Sequence, residues 1–150
     1  MTGDILKFAI DRRSESIIEI NAVDHHDWSY LTLAVLKHQE KESLDVIEKL
    51  LELEVDPHIE SDSGKSAVHC AAHLGHSDLI TLFVKHNVDL TRLSNPDPQA
   101  YDSTAKTPLH YMIQYDHNEC LRIALLGGAD PFVQDAKGNT LLHYCSVYSI

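Results

Sequence analysis

An all-α solenoid of stacked helix–turn–helix units, with hairpin fingers between them, is the fold class this sequence predicts. Three observations predict it. A four-residue phrase recurs at fixed phase: Thr107-Pro108-Leu109-His110 returns as Thr140-Leu141-Leu142-His143 and, more loosely, as Ser66-Ala67-Val68-His69. The interval from His110 to His143 is 33 residues, and Asp102 to Asp135 repeats it. A second phrase rides behind the first as Gly128-Ala129-Asp130, Val88-Asp89 and Val55-Asp56, with Asp56 to Asp89 again 33 residues. Such a period marks units that cannot bury their apolar faces alone and therefore stack on their neighbours. Stacked arrays present extended binding surfaces, which points toward a partner and away from chemistry.

The whole chain, 1–150, reads as one elongated domain. Residues 4–23 predict a degenerate helical pair: Ile5, Leu6, Phe8, Ala9 and Ile10 form one apolar run and Ile17, Ile18 and Ile20 a second. The first full repeat spans 24–60. Tyr30, Leu31, Leu33, Ala34 and Val35 mark its inner helix, and Leu44, Val46, Ile47, Leu50 and Leu51 fill one face of its outer helix. From Ala34 to Ala71 is 37 residues, so four polar residues, Gln39-Glu40-Lys41-Glu42, are extra. They lengthen a loop or a helix end without disturbing the stack.

The second repeat, 61–93, is the most regular. Gly64 supplies a hairpin conformation that a side chain resists. Ala71 and Ala72 keep the inner helix slim, so that neighbouring repeats approach closely. From His69 to His110 is 41 residues, which places eight inserted residues before the third repeat. The insert, 94–101, contains Asn95-Pro96-Asp97-Pro98 and predicts a projecting loop, because its prolines cannot continue a helix. The third repeat, 102–134, starts its inner helix at Pro108 and ends its outer helix at Gly127-Gly128. A partial repeat, 135–150, holds one inner helix. Its missing outer helix would leave Leu141, Leu142 and Tyr144 to be covered by further chain, by a partner or by self-association.

Composition bounds the function. The net charge of −11 and pI near 5.3 argue against direct nucleic-acid binding and favour a basic partner. The chain has no secretory signal and no apolar run of membrane-spanning length, so a soluble, cytoplasmic or nuclear-type protein without membrane partner is expected. Cys70, Cys120 and Cys145 are odd in number and lie in apolar helical runs, which predicts reduced packing thiols. No ligand-spaced Cys/His cluster predicts a metal, and no cofactor is expected. Ser63, His69 and Asp62 lie close in sequence, but no nucleophile elbow, phosphate loop or acid pair surrounds them. A non-enzyme is the reading.

The 33-residue period with Thr-Pro-Leu-His resembles the ankyrin repeat, a hairpin followed by two antiparallel helices. Within that family, the positions of the two insertions resemble the IκB inhibitors and the ankyrin halves of NF-κB precursors. Ser29-Tyr30-Leu31-Thr32-Leu33-Ala34-Val35-Leu36, followed by the charged insert and Leu44-Asp45-Val46-Ile47, looks like their opening repeat. Val84-Lys85-His86-Asn87 with the long loop before Thr107, and Asn118-Glu119-Cys120-Leu121, look like their middle repeats. The resemblance covers 24–150. It implies that hairpin tips and inner helices grip a Rel/NF-κB dimer, cover a basic localisation segment, hold the dimer in the cytoplasm and exclude DNA. Asp62-Ser63-Gly64-Lys65-Ser66 is similar to the degradation signal of such inhibitors. It is one residue short between Gly64 and Ser66, and it lies in a hairpin where Gly64 is structural. Without a signal or an acidic tail, the chain resembles the truncated polydnavirus ankyrins. The alternative is a general ankyrin adaptor, the N-terminal part of a longer protein.

Counting from the repeated phrase gives the expected partner contacts. Asp24, Asp27 and Trp28 lie at the first hairpin, with Glu15 and Glu19 adding acid nearby. Asp62, Ser63, Lys65, His73 and Leu74 lie in repeat two, and Ser103, Thr104, Lys106, Gln114 and Tyr115 in repeat three. Leu74 and Tyr115 are the apolar anchors, and Trp28 is either half-buried packing or an interface residue. His69, His110 and His143 repeat at one phase and are spread along the stack, which argues against a shared metal or catalytic site, and the ankyrin resemblance implies that they brace adjoining loops. His25 and His26 stand at a hairpin tip within reach of a partner.

Overall fold

The computed structural model describes residues 21–38, 41–95 and 104–148. The expected helical pair at 4–20, the acidic Glu15 and Glu19, most of the inserted loop, and Ser103 lie outside the described residues. Seven helices run through the rest: α1 Tyr30–Leu36, α2 Lys41–Glu52, α3 Ala67–Leu74, α4 Ser77–Lys85, α5 Pro108–Gln114, α6 Asn118–Leu126 and α7 Leu141–Tyr148. The inner helices α1, α3, α5 and α7 pack in succession, and the outer helices α2, α4 and α6 follow beside them. This is the all-α stacked architecture that the 33-residue period predicts.

Each inner helix begins where the repeated phrase places it. Ser29 and Thr107 cap α1 and α5 by accepting the backbone N–H three residues on, from Thr32 and His110. Pro108 occupies the first turn, where its missing N–H costs nothing. Ala67, Val68, Ala71 and Ala72 are fully buried, so α3 lies slim between α1 and α5. Phe83, Leu79 and Ile80 fill the space behind it from α4, and Leu109, Met112 and Ile113 continue the core through α5. Each such side chain contributes about 1.5–3 kcal/mol through burial. Of the extra residues, Lys41 and Glu42 open the outer helix α2, which has 12 residues where α4 and α6 have 9.

The fingers are closed by one backbone N–H···O bond each. Asp24 donates to Trp28, Ser61 to Lys65, Ser94 to Lys106 and Asp135 to Asn139, at 3.1, 3.0, 2.8 and 2.9 Å. The bond between Ser94, the first residue of the expected insert, and Lys106 joins the two ends of this longer segment. Neighbouring fingers are linked in turn: Asp62 donates to the His26 carbonyl, Asn95 to Gly64 and Ala136 to Ala105. Gly64 has φ +74°, and a Cβ there would stand 2.5 Å from the Asn95 carbonyl oxygen. Gly64→Ala should therefore lower unfolding free energy by about 1–3 kcal/mol, read by urea denaturation. An unchanged midpoint would show that fingers two and three separate without cost.

At the last repeat, Leu141 and Tyr144 are buried, and the Tyr144 hydroxyl donates to Asp135 Oδ2 at 2.8 Å. The expectation that both need an external cover is corrected for these two, because α7 turns them inward against α5. Leu142 and Val147 carry the exposed side of α7.

Candidate partner-binding face

Fingers and inner helices together build one face. Between the first two repeats it deepens into a pocket of about 250 Å³, walled by Trp28, Thr32 and Leu36 on one side and Ser63, Lys65, Cys70, His73 and Leu74 on the other. Five of the residues expected to touch a partner, Trp28, Ser63, Lys65, His73 and Leu74, are thus brought together. The pocket opens because α1 ends at Leu36 while α3 carries Leu74 at its last position, exposed by 43 %.

A strip of rings continues from the pocket toward repeat three. The His73 ring lies 4.3 Å from that of Tyr115, centroid to centroid, and Tyr111 stacks on Tyr115 at 6.4 Å with a 7° interplanar angle. Tyr115 caps α5 and is 42 % exposed, so its outer face is available. The Lys65 ammonium sits 5.5 Å above the Tyr111 ring. Burial, then the nearby Lys65 charge, holds His73 below the usual imidazole pKa, which favours its neutral ring near pH 7.

Two expected contacts have other duties. Lys106 is 5 % exposed and its ammonium lies 6.0 Å from the Tyr111 centroid. Its side chain is therefore packed beside Tyr111. Asp24 accepts the N–H groups of Trp28 at 3.0 Å and His26 at 2.9 Å. The Trp28 bond, followed by the others, lowers the Asp24 pKa. Its carboxylate braces the hairpin, as Asp135 does for Lys137 and Asn139. The acid left at the tips is Asp27 and Asp62, both exposed, the latter 3.3 Å from His26 Nδ1. Thr104 and Gln114 lie half-buried beside the strip.

Three side chains of this face hold polar atoms that are buried without a hydrogen-bond partner: Trp28 Nε1, His73 Nδ1 and Gln114 Oε1. Each such atom costs about 1–3 kcal/mol for as long as neither water nor a bound molecule completes its bonding. Sequence reasoning named all three residues, but not this property, which depends on packing.

The repeated histidines brace fingers as expected. His69 Nδ1 accepts from the Ser66 hydroxyl at 2.8 Å, and its Nε2–H donates to the Arg92 carbonyl at 2.8 Å. His110 does the same with Thr107, at 2.7 Å, and with the Asn139 carbonyl, at 2.9 Å. His143 Nδ1 accepts from Thr140 N at 3.0 Å. In the first repeat Thr32 holds this phase, and its hydroxyl bonds to Ser29. Burial pushes the Cys70 and Cys120 thiols up to about 11, which suits packing thiols rather than nucleophiles. No helix among the described residues is long and apolar enough to cross a membrane.

The chain resembles proteins of varied roles. It is 22% identical to the ankyrin repeat protein L86 of Acanthamoeba polyphaga mimivirus over 93% of its own length and 27% of that protein. It is 30% identical to the target of rapamycin complex 2 subunit AVO2 of Saccharomyces cerevisiae, over 66% of this chain and 22% of that one. It is 28% identical to the nuclear factor NF-kappa-B p105 subunit of Rattus norvegicus, over 71% of this chain and 10% of the subunit. It thus spans about a quarter or less of each of these relatives. The family model for ankyrin repeats in three copies matches residues 31–135, the region in which the fingers, the capped inner helices and the bracing histidines recur. This chain belongs to the ankyrin-repeat family.

Proposed function

We propose that the protein is an IκB-like inhibitor that binds a Rel/NF-κB dimer, retains it in the cytoplasm and blocks its access to DNA. Membership of the ankyrin-repeat family makes the chain a protein–protein interaction module. The observation that carries the finer reading is the similarity of 71% of this chain to the NF-kappa-B p105 subunit. The longer α2 and the longer segment joined at Ser94 and Lys106 support it, since they lie where the IκB-type insertions are expected. In this reading the pocket beside Trp28 and Leu74 takes an apolar side chain of the partner, and Tyr115 extends that contact. Asp27 and Asp62 face its basic segment.

The test is direct. A purified Rel dimer should bind the chain with 1:1 stoichiometry, one chain per dimer, and the chain should displace it from a labelled DNA duplex. Absence of binding at micromolar concentration would overturn the inhibitor reading. The 30% identity to a target of rapamycin complex 2 subunit favours the second reading, a general ankyrin adaptor. An adaptor would leave Rel unbound while the same face engages another protein.

Neutralising the tips should have a small and salt-dependent effect. Asp27 has φ +59°, a left-handed conformation that Asn also tolerates, so Asp27→Asn removes charge without disturbing the turn. Asp27→Asn with Asp62→Asn should weaken binding of a basic partner by about 1 kcal/mol or less per charge, mostly in association rate. Stopped-flow association at low and high salt checks this. Equal rates at low salt would remove the electrostatic contribution.

A further inference from the structure

We propose that His38, His76 and Asp78 form a binding site for one divalent transition-metal ion, which ties repeat one to repeat two. The fold brings them together from 38 and 40 residues apart: His38 follows the end of α1, whereas His76 caps α4 and Asp78 lies in its first turn. One ligand atom from each lies within 4.8 Å of the other two. Two imidazoles and a carboxylate are the donor set that suits Zn²⁺, with a fourth position left to water.

His38 is the fixed member. It is 6 % exposed, with Nδ1 2.9 Å from the Ser43 hydroxyl and Nε2 2.7 Å from Asp78 Oδ2. The hydroxyl can donate or accept. In the metal-free chain Nε2–H donates to the Asp78 carboxylate, and an ion that takes the place of this proton requires the tautomer with hydrogen on Nδ1, which the Ser43 hydroxyl can hold by accepting. Asp78 uses Oδ1 to accept the Leu79 N–H at 2.8 Å, leaving Oδ2 toward the site. The His76 ring meets His38 edge-on, with centroids 5.0 Å apart at 87°.

Tetrahedral zinc with bonds of about 2.0–2.1 Å sets its donors about 3.3 Å apart, so the His38–Asp78 pair, now at 2.7 Å, must open slightly while His76 closes on them from within 4.8 Å. The exposed members can supply that movement, since the Asp78 side chain is 47 % exposed and His76 is half-buried. The N-terminus of α4 opposes a cation, and the Asp78 carboxylate offsets it. The site is independent of the partner-binding face and of the inhibitor reading.

Isothermal titration of the metal-free full chain with ZnCl₂ at neutral pH tests this. One ion per chain is expected, with a rise in melting temperature as zinc is added. His76→Ala with Asp78→Asn should weaken binding by at least about tenfold per ligand and abolish the thermal shift. Both positions reach solvent, so the variant should fold, and His76→Asn alone serves if it does not. His25→Ala with His26→Ala, which removes the exposed pair at the first finger, should leave the titration unchanged. Equal zinc affinity in the wild type and the His76/Asp78 variant would overturn the site. So would a loss that follows His25 and His26 instead.

Discussion

Acidification from about pH 7.5 to about pH 4.5 should remove roughly 2–3 kcal/mol of folding free energy through His69 alone. Burial, above all, holds this imidazole at about 4 against an ordinary 6.5. Its Nδ1 accepts from Ser66, and its Nε2–H is committed to the Arg92 carbonyl, so a second proton has no favourable place. Lys65 and His58 on neighbouring segments oppose the charge further. The unfolded chain takes up that proton below about 6.5, whereas the folded chain does so only near 4. Stability is therefore complete above about pH 6.5 and falls progressively down to about 4. Burial also lowers the pKa of His110 in the equivalent brace, which steepens the same limb. Urea unfolding at several pH values measures the effect. His69→Gln should be weaker at pH 7 yet lose less on acidification, and an identical acid slope in wild type and variant would refute this assignment.

A competing effect has the opposite sign. The formal charge of −11 would rise to zero if all 11 histidines were protonated, which relieves self-repulsion and lowers solubility. Composition alone places that change near pH 6.5. Packing delays it, because His58, His69, His73, His76 and His110 are all held below their ordinary pKa, with burial the largest cause in each. Brace failure, rather than charge cancellation, should dominate the acid response.

What the sequence made legible is what repeats. The helix start at Pro108, the slim Ala71-Ala72 and the histidine braces follow from local chemistry recurring at one phase, and each has the role expected. The face was legible to the extent that phase predicts direction, which is why Trp28, Ser63, Lys65, His73 and Leu74 converge on one pocket. Departures arise where spacing is broken or partners are distant. Lys106, paired with Ser94 across the inserted segment, lies buried beside Tyr111 instead of toward solvent. Asp24 looked like free acid, but an aspartate four residues before a closing N–H acts as a turn brace. The His38 cluster gives no local signal, since its members meet only when repeats one and two stack.

Replacing Leu74 and Tyr115 together by alanine should weaken partner binding by roughly 2–4 kcal/mol, while the domain stays folded. Both side chains expose more than two-fifths of their surface, and neither belongs to the buried cluster that joins the repeats. Truncation therefore removes contact area a partner would cover, with little internal packing lost. Tyr115 does stack on Tyr111 and lies against His73, so its loss should cost stability by about 1 kcal/mol at most. His73 also lines the pocket beside Leu74, so the two substitutions share a neighbour and their effects on affinity should not add. Calorimetric titration of each single variant and the double variant against a purified Rel dimer, with urea unfolding in parallel, separates affinity from stability. A folded double variant that binds as tightly as wild type would remove this strip from the interface. A double variant that unfolds, while its folded fraction keeps full affinity, would show that Leu74 and Tyr115 hold repeats two and three together instead.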